Sequence, residues 1–157
     1  MKISYRRWSL TQENEQKAWE SKKVDSENLA EAHRQLWQGY LKFIQEHVQI
    51  KQSDRILDIG CGPWGLINYI NMGDRYGFDP LMDYFLEEFD MPKDIKFLKG
   101  VAEEIPFKNN FFDLVMVTNV LDHARQPLRI LNEVKRVLKP NGILVLSIDC
   151  NGPLYKF

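Results

Sequence analysis

Cysteine is nearly absent from this chain. Its 157 residues carry two, Cys61 and Cys150, far apart and in no metal-binding or redox spacing. A free-thiol, cytoplasmic protein with no bound metal is the simplest reading. The N-terminus has no apolar signal core, and no apolar run approaches the roughly 20 residues that span a bilayer. An excess of one charge is missing too. The net charge of −1 offers nothing for broad attraction to nucleic acid or to a membrane. What remains is ordinary: 44% hydrophobic and 27% charged residues, in a length that suits one sizeable core.

Residues 1–10 are mostly polar and read as loose. Ser9 with Gln12 suggests a capping box for a helix over about 11–22. A stronger helix covers about 26–47, with Leu29, Leu36, Trp37, Tyr40, Leu41, Ile44 and Val48 at helical spacing. Residues 1–50 thus read as a helical extension. Core packing is the ordinary role of its apolar face; a lid over a cleft is the functional one. From Asp54 onward strands and helices alternate. Arg55–Ile59, Arg75–Phe78, Ile95–Leu98, Phe112–Thr118 and Ile143–Ile148 read as strands. Residues 65–73, Pro80–Phe89 and Pro127–Leu138 read as helices, the last with Leu128, Leu131, Val134 and Leu138 on one side, and Lys139-Pro140-Asn141-Gly142 reads as a turn. The pattern predicts an α/β fold over 51–157, a Rossmann-like doubly wound parallel sheet.

The densest signal is Ile56-Leu57-Asp58-Ile59-Gly60-Cys61-Gly62-Pro63-Trp64-Gly65, with Asp79 nineteen residues after Gly60. A strand enters a glycine turn, and the next strand ends on a carboxylate, which builds a nucleotide site at the edge of a parallel sheet. Asp58 decides which nucleotide. A carboxylate two residues before the first glycine repels a pyrophosphate and attracts a cation. S-adenosylmethionine is a nucleoside with a sulfonium, an ammonium and no phosphate.

The chain resembles the class I S-adenosylmethionine-dependent methyltransferases, of the small-molecule type 11 family. Four blocks over about 54–149 carry the resemblance, in the family's order. They are Leu57-Asp58-Ile59-Gly60-Cys61-Gly62; Gly77-Phe78-Asp79; Ala102-Glu103-Glu104-Ile105-Pro106-Phe107 with Phe112-Asp113-Leu114-Val115; and Glu133 through Gly142. The resemblance implies S-adenosylmethionine as cofactor, leaving as S-adenosylhomocysteine. It implies that Asp58 attracts the methionyl ammonium and that Gly60, Cys61 and Gly62 form the turn beneath the cofactor. Asp79 accepts from both ribose hydroxyls. Phe78 and Pro80 flank the adenine, Ala102 and Glu103 stand at its edge, and Asn119 stands beside the sulfonium. Two departures stand out. Val101 replaces the family's frequent Asp, leaving Glu103 or a backbone carbonyl to accept from the adenine amino group. The glycine loop also holds Trp64, which either packs on the cofactor or narrows the substrate entrance.

Bland readings compete with these. Asp58 could cap the turn, and Cys61 is expected to be a small buried residue rather than a nucleophile. His123, with Asp122 beside it, is the candidate catalytic general base, or else it fixes its loop by hydrogen bonds. The family's sheet has seven strands, and this sequence reads as ending after the fifth, so the core is expected to lack its last two strands. The fifth strand's edge should then be exposed and favour a homodimer, unless 150–157 covers it. The expected reaction is direct displacement at the sulfonium methyl by an O, N or C atom of a small molecule, with no nucleic-acid or membrane partner. An NAD-binding oxidoreductase is the alternative, since Gly60, Gly62, Gly65 and Asp79 also satisfy the dinucleotide pattern. A cofactor-binding module without turnover is a third.

Overall fold

The computed structural model describes residues 5–122 and 124–148. Five strands form one parallel sheet: β1 (Arg55–Ile59), β2 (Asp74–Asp79), β3 (Lys96–Lys99), β4 (Phe112–Thr118) and β5 (Leu138–Ser147). Their order across the sheet is β3-β2-β1-β4-β5. The chain reverses direction across the sheet at β1 and β4, the switch point where such folds bind ligands beyond the strands' carboxyl ends. β1 and β4 are buried along nearly their whole length, as their unbroken apolar runs require. The α/β expectation holds.

Two layers cover the sheet. One face packs Ile56, Leu114 and Met116 against α2 (Ser26–His47) and α3 (Met82–Glu88). The other packs Leu57, Ile59, Val115 and Val117 against α4 (Pro127–Val137). Pro127 sits at the start of α4, where its missing N–H costs nothing. Glu133 and Arg136 of α4 pin the loop before β4. Glu133 Oε2 accepts from the Ile105 N–H at 2.9 Å, and Arg136 donates to the carbonyls of Ile105 at 2.8 Å and Phe107 at 2.7 Å. The fourth resemblance block thereby holds the third in place.

Several expectations need correction. Residues 5–10 are not loose: α1 (Tyr5–Lys22) starts at Tyr5, so Ser9 and Gln12 lie inside the helix and form no capping box. After β1 there is no α-helix, only a 3-10 turn over Leu66–Tyr69. On α2 the inward stripe runs through Trp37 and Ile44, with Tyr40, Leu41 and Val48 packed beside it. Leu36 is off that stripe and 49% exposed, because one step from Trp37 turns a helix by about 100°. On α4 the inward set is Ile130, Val134 and Val137, and Leu128 points outward at 77% exposure. The expected turn at Lys139–Gly142 is a bulge inside β5, which pairs Leu138 with Phe112 and then Ile143 with Leu114. Asn141 takes a left-handed φ of 65° there.

Among the described residues β5 pairs on one side only, and Leu144, Leu146 and Ile148 beside its free edge are exposed. The alternative cover, 150–157, lies outside the described residues.

Close approach between layers makes one fold prediction. A Cβ at Gly77 of β2 would stand 2.5 Å from Phe97 and 2.9 Å from the Cys61 sulfur. Gly77→Ala is expected to destabilise the fold by about 1–3 kcal/mol through overpacking. Urea unfolding with an unchanged midpoint would contradict that packing.

Candidate functional site

The site starts from the turn that ends β1. Gly60 and Gly62 have φ of 69° and 55°, a region closed to most side chains. A Cβ at Gly60 would lie 2.4 Å from Val120, so the loop after β4 presses directly on the turn. The Gly60 N–H donates to the Phe78 carbonyl at 2.7 Å, which ties the turn to β2.

Two buried carboxylates hold this loop. Asp79 accepts from the Gly62 N–H through Oδ2 at 3.1 Å and from the Leu81 N–H through Oδ1 at 2.8 Å. Asp58 is fully buried behind the turn and accepts from the Ile67 N–H at 3.0 Å. It caps the 3-10 turn, one of the two roles its position allowed. Its other oxygen is buried with no hydrogen-bond partner among the described residues. Burial raises the Asp58 carboxyl to about 7; the Ile67 N–H opposes that and the nearby Asp79 adds to it. Burial likewise raises Asp79 to about 6 against the Leu81 and Gly62 amides. Two uncompensated acids therefore share one loop.

Two adjoining cavities open beyond it. The first, 80 Å³, is lined by Gly60, Phe78, Asp79, Pro80, Val101, Ala102, Glu103 and Asn119. Most residues that sequence reasoning assigned to the nucleoside thus meet on one wall. Glu103 accepts from the Gln126 N–H at 3.0 Å, and Asn119 has a left-handed φ of 55° at the end of β4. The second, 170 Å³, lies on the other side of the turn and is lined by Gly60, Cys61, Gly62, Trp64, Asp79 and Asn119 together with helical residues. Trp64 joins an aromatic cluster there, 5.7 Å from Trp19, 5.5 Å from His33 and 5.4 Å from Phe89 between ring centroids. Its carbonyl accepts from the Trp37 indole at 2.6 Å.

The structure does not bring every candidate to the cavities. Asp58 lies behind the loop and lines neither. The Cys61 thiol packs in the core, where burial pushes it well above its ordinary range and makes it a poor nucleophile. His123 lies outside the described residues. Sequence reasoning offered the N-terminal helices as a lid but named none of the residues with which they line the cavities. Trp8, Gln12, Glu15 and Trp19 project from α1, and His33 and Trp37 from α2. The spacing 8, 12, 15, 19 is a helical stripe and was the available signal. Gln12 Oε1 is buried in the first cavity without a partner among the described residues.

Residues 57–146 match the family described as methyltransferase domain. The chain belongs to that family. An uncharacterized methyltransferase of Schizosaccharomyces pombe is 36% identical over 108 residues, 59% of this chain and 39% of that protein. A tRNA U34 carboxymethyltransferase of Nautilia profundicola is 30% identical over 121 residues, 71% of this chain and 40% of that protein. A SAM-dependent methyltransferase of Thermotoga maritima has the same fold, with a TM-score of 0.60 at 24% identity over 77% of this chain and 55% of that one. This methyltransferase domain spans about two fifths of the length of the curated relatives it matches.

The site fits the cofactor that the family implies. The acids behind and beside the turn favour a cationic ligand, the glycine turn leaves room for it, and Gln12 Oε1 awaits a donor. Among the described residues no group of three His, Cys, Asp or Glu could hold a metal.

The raised acids give a pH prediction. Their folded values stand above the ordinary value of 3.8. Between about pH 4 and pH 7 the folded domain therefore holds protons that the unfolded chain has released. The stability they contribute is complete below about pH 4 and is lost as pH rises through 6 and 7, on the order of a few kcal/mol. Asp58→Asn, which keeps the Ile67 hydrogen bond, is expected to flatten this decline in urea midpoints between pH 5 and 7.5. An equal decline in that variant would place the titration elsewhere.

Proposed function

We propose that this domain binds S-adenosylmethionine across the glycine turn and transfers its methyl group to a small-molecule acceptor. The observation that carries the reading is the pair of buried acids at a left-handed glycine turn, which suits a cationic nucleoside. The cofactor supplies an electrophilic methyl on a sulfonium. Asp79 would accept from the ribose hydroxyls with the lone pairs that Gly62 and Leu81 leave unused. Phe78, Pro80, Val101, Ala102 and Glu103 would enclose the adenine, and Gln12 would accept from its exocyclic amine or a hydroxyl. Gly60, Cys61 and Gly62 would support the methionyl part by their backbone, with Trp64 and Asn119 beside it. Asp58 would act through its negative potential behind the loop. His123, outside the described residues, remains the proposed general base.

Residues 5–22 would serve as a lid. α1 lays Trp8, Gln12 and Glu15 over the first cavity, which at 80 Å³ is well below the about 300–1,000 Å³ of ordinary ligand pockets. Admitting a nucleoside requires α1 to move outward and close again. A small acceptor and no nucleic acid are supported by the net charge of −1. The tRNA-modifying relatives make RNA the contrasting acceptor in any assay. The described residues include no helix long and apolar enough to cross a membrane.

S-adenosylhomocysteine is expected to raise the melting temperature, and NAD is not. Asp79→Ala removes two charge-assisted acceptors and should weaken S-adenosylhomocysteine by about 1.5–3 kcal/mol. Hydrogen exchange over 5–22 should slow on binding. Stabilisation by NAD instead would turn the reading to the oxidoreductase. A module without turnover would bind S-adenosylhomocysteine yet transfer no label.

A homodimer through the edge of β5 belongs to the same proposal. Among the described residues one edge of β5 has no strand beside it, and its exposed Leu144 and Leu146 favour strand-to-strand pairing. Light scattering of the 157-residue chain should give twice the monomer mass. A monomer at high concentration would show that the edge is protected.

A further inference from the structure

Four residues line both cavities: Gly60, Asp79, Asn119 and Glu15. The first three stand at the carboxyl ends of β2, β1 and β4, and Glu15 comes from α1. Shared residues mark where a single ligand passes from one cavity into the other. With the adenosine in the first and the methionyl part in the second, the atom that joins the two parts lies at this crossing. In S-adenosylmethionine that atom is the sulfonium sulfur.

The charge at the crossing has one sign. Among the described residues neither cavity is lined by Lys or Arg, and Lys22, 4.4 Å from the Trp19 ring centre, lines neither. Asp58 lines neither cavity and Glu103 lines only the first. Asp79 is buried and already accepts from the Gly62 and Leu81 amides. Glu15 is exposed, and no salt bridge among the described residues neutralises it. Burial is the main cause of the raised Asp79 carboxyl and the Glu15 charge adds to it, so the two acids lie in each other's field. Two carboxylates that repel across an opening both gain from a cation placed between them.

Resting on the cofactor site proposed above, we propose that Glu15 reads the charge on sulfur: it favours S-adenosylmethionine over S-adenosylhomocysteine and draws α1 shut over the charged ligand only. The methionyl ammonium is present in both ligands, so the distinction has to be made at the sulfur. In the transfer, the acceptor's electron pair forms the new bond to the methyl carbon, and the carbon–sulfur pair stays on sulfur. The positive charge leaves with the methyl group, and a neutral thioether remains. Glu15 then faces Asp79 with no cation between them, which favours opening of α1 and release of the product. Glu15 thus acts on loading and release rather than on the chemical step.

Calorimetry with three ligands separates charge from shape. They are S-adenosylmethionine, S-adenosylhomocysteine and sinefungin, in which a carbon bearing an ammonium replaces the methylated sulfur. Glu15→Gln keeps the side chain's size at an exposed helix position. It is expected to weaken S-adenosylmethionine and sinefungin by about fivefold and to leave S-adenosylhomocysteine within about twofold. Glu13→Gln removes the same net charge from α1 at an exposed position that lines neither cavity, and should leave all three affinities within about twofold. Hydrogen exchange over 5–22 should slow more with sinefungin than with S-adenosylhomocysteine in the unmodified protein, and equally with both in Glu15→Gln. Equal weakening of all three ligands by Glu15→Gln, no weakening of any, or the same loss in Glu13→Gln overturns the charge-reading role. No binding of S-adenosylhomocysteine to the unmodified protein overturns the cofactor reading itself, and the two failures are therefore distinct.

Discussion

The rest of the site depends on two carboxylates that hold a glycine turn from below and from the side. Asp79 bridges the Gly62 and Leu81 amides, so one side chain fixes the turn after β1 to the turn after β2. Asp58 bonds the Ile67 amide and stops the chain from continuing as a strand. Each does its structural work as an acceptor, and each does it where burial penalises its charge. The loop is therefore well ordered but electrostatically incomplete. A cationic ligand at the turn would offset this cost, which is why the two acids carry the proposed cofactor site.

The alternating core was legible because its physics is local. Strands buried on both faces show as apolar runs, and Pro127 marks the start of α4. The glycine turn and Asp79 were legible because φ above zero and a strand-end carboxylate leave plain residue signatures. What the sequence hid was geometric. The 3-10 turn at Leu66–Tyr69 takes the place of a helix because Asp58 caps it early and Gly65 fits where a Cβ would stand 2.4 Å from the Cys61 carbonyl. The bulge in β5 looked like a turn because Asn141 and Gly142 serve both. Leu36 and Leu128 looked inward because apolar identity was read where only helical angle decides.

The larger omission was the start of α1 and the residues it turns inward. Its polar surface made 1–10 look unstructured, since hydrophobicity alone sets the usual expectation for packing. Its inward stripe is short and mixed, with Trp8 and Trp19 flanking Gln12 and Glu15. A stripe of that kind is too polar for a core and too aromatic for solvent. It makes sense only against a cavity, where polar atoms face a ligand and rings close around it.

The domain divides into a part that matches the family and a part that lies outside the match. The turn, the acids and the Glu133–Arg136 clamp on the loop before β4 are built by residues 58–136, within the stretch that matches the family. The far wall of the second cavity meets this turn directly, with the Trp37 indole donating to the Trp64 carbonyl and Trp19 packed 5.7 Å from Trp64. That wall belongs to α1 and α2, which lie outside 57–146 and rest on the core through apolar contacts. Contacts of that kind tolerate substitution as long as volume and pattern are kept. The two helices present tryptophans, one carboxylate and one imidazole to the second cavity, so the character of that wall is set outside the stretch that matches the family.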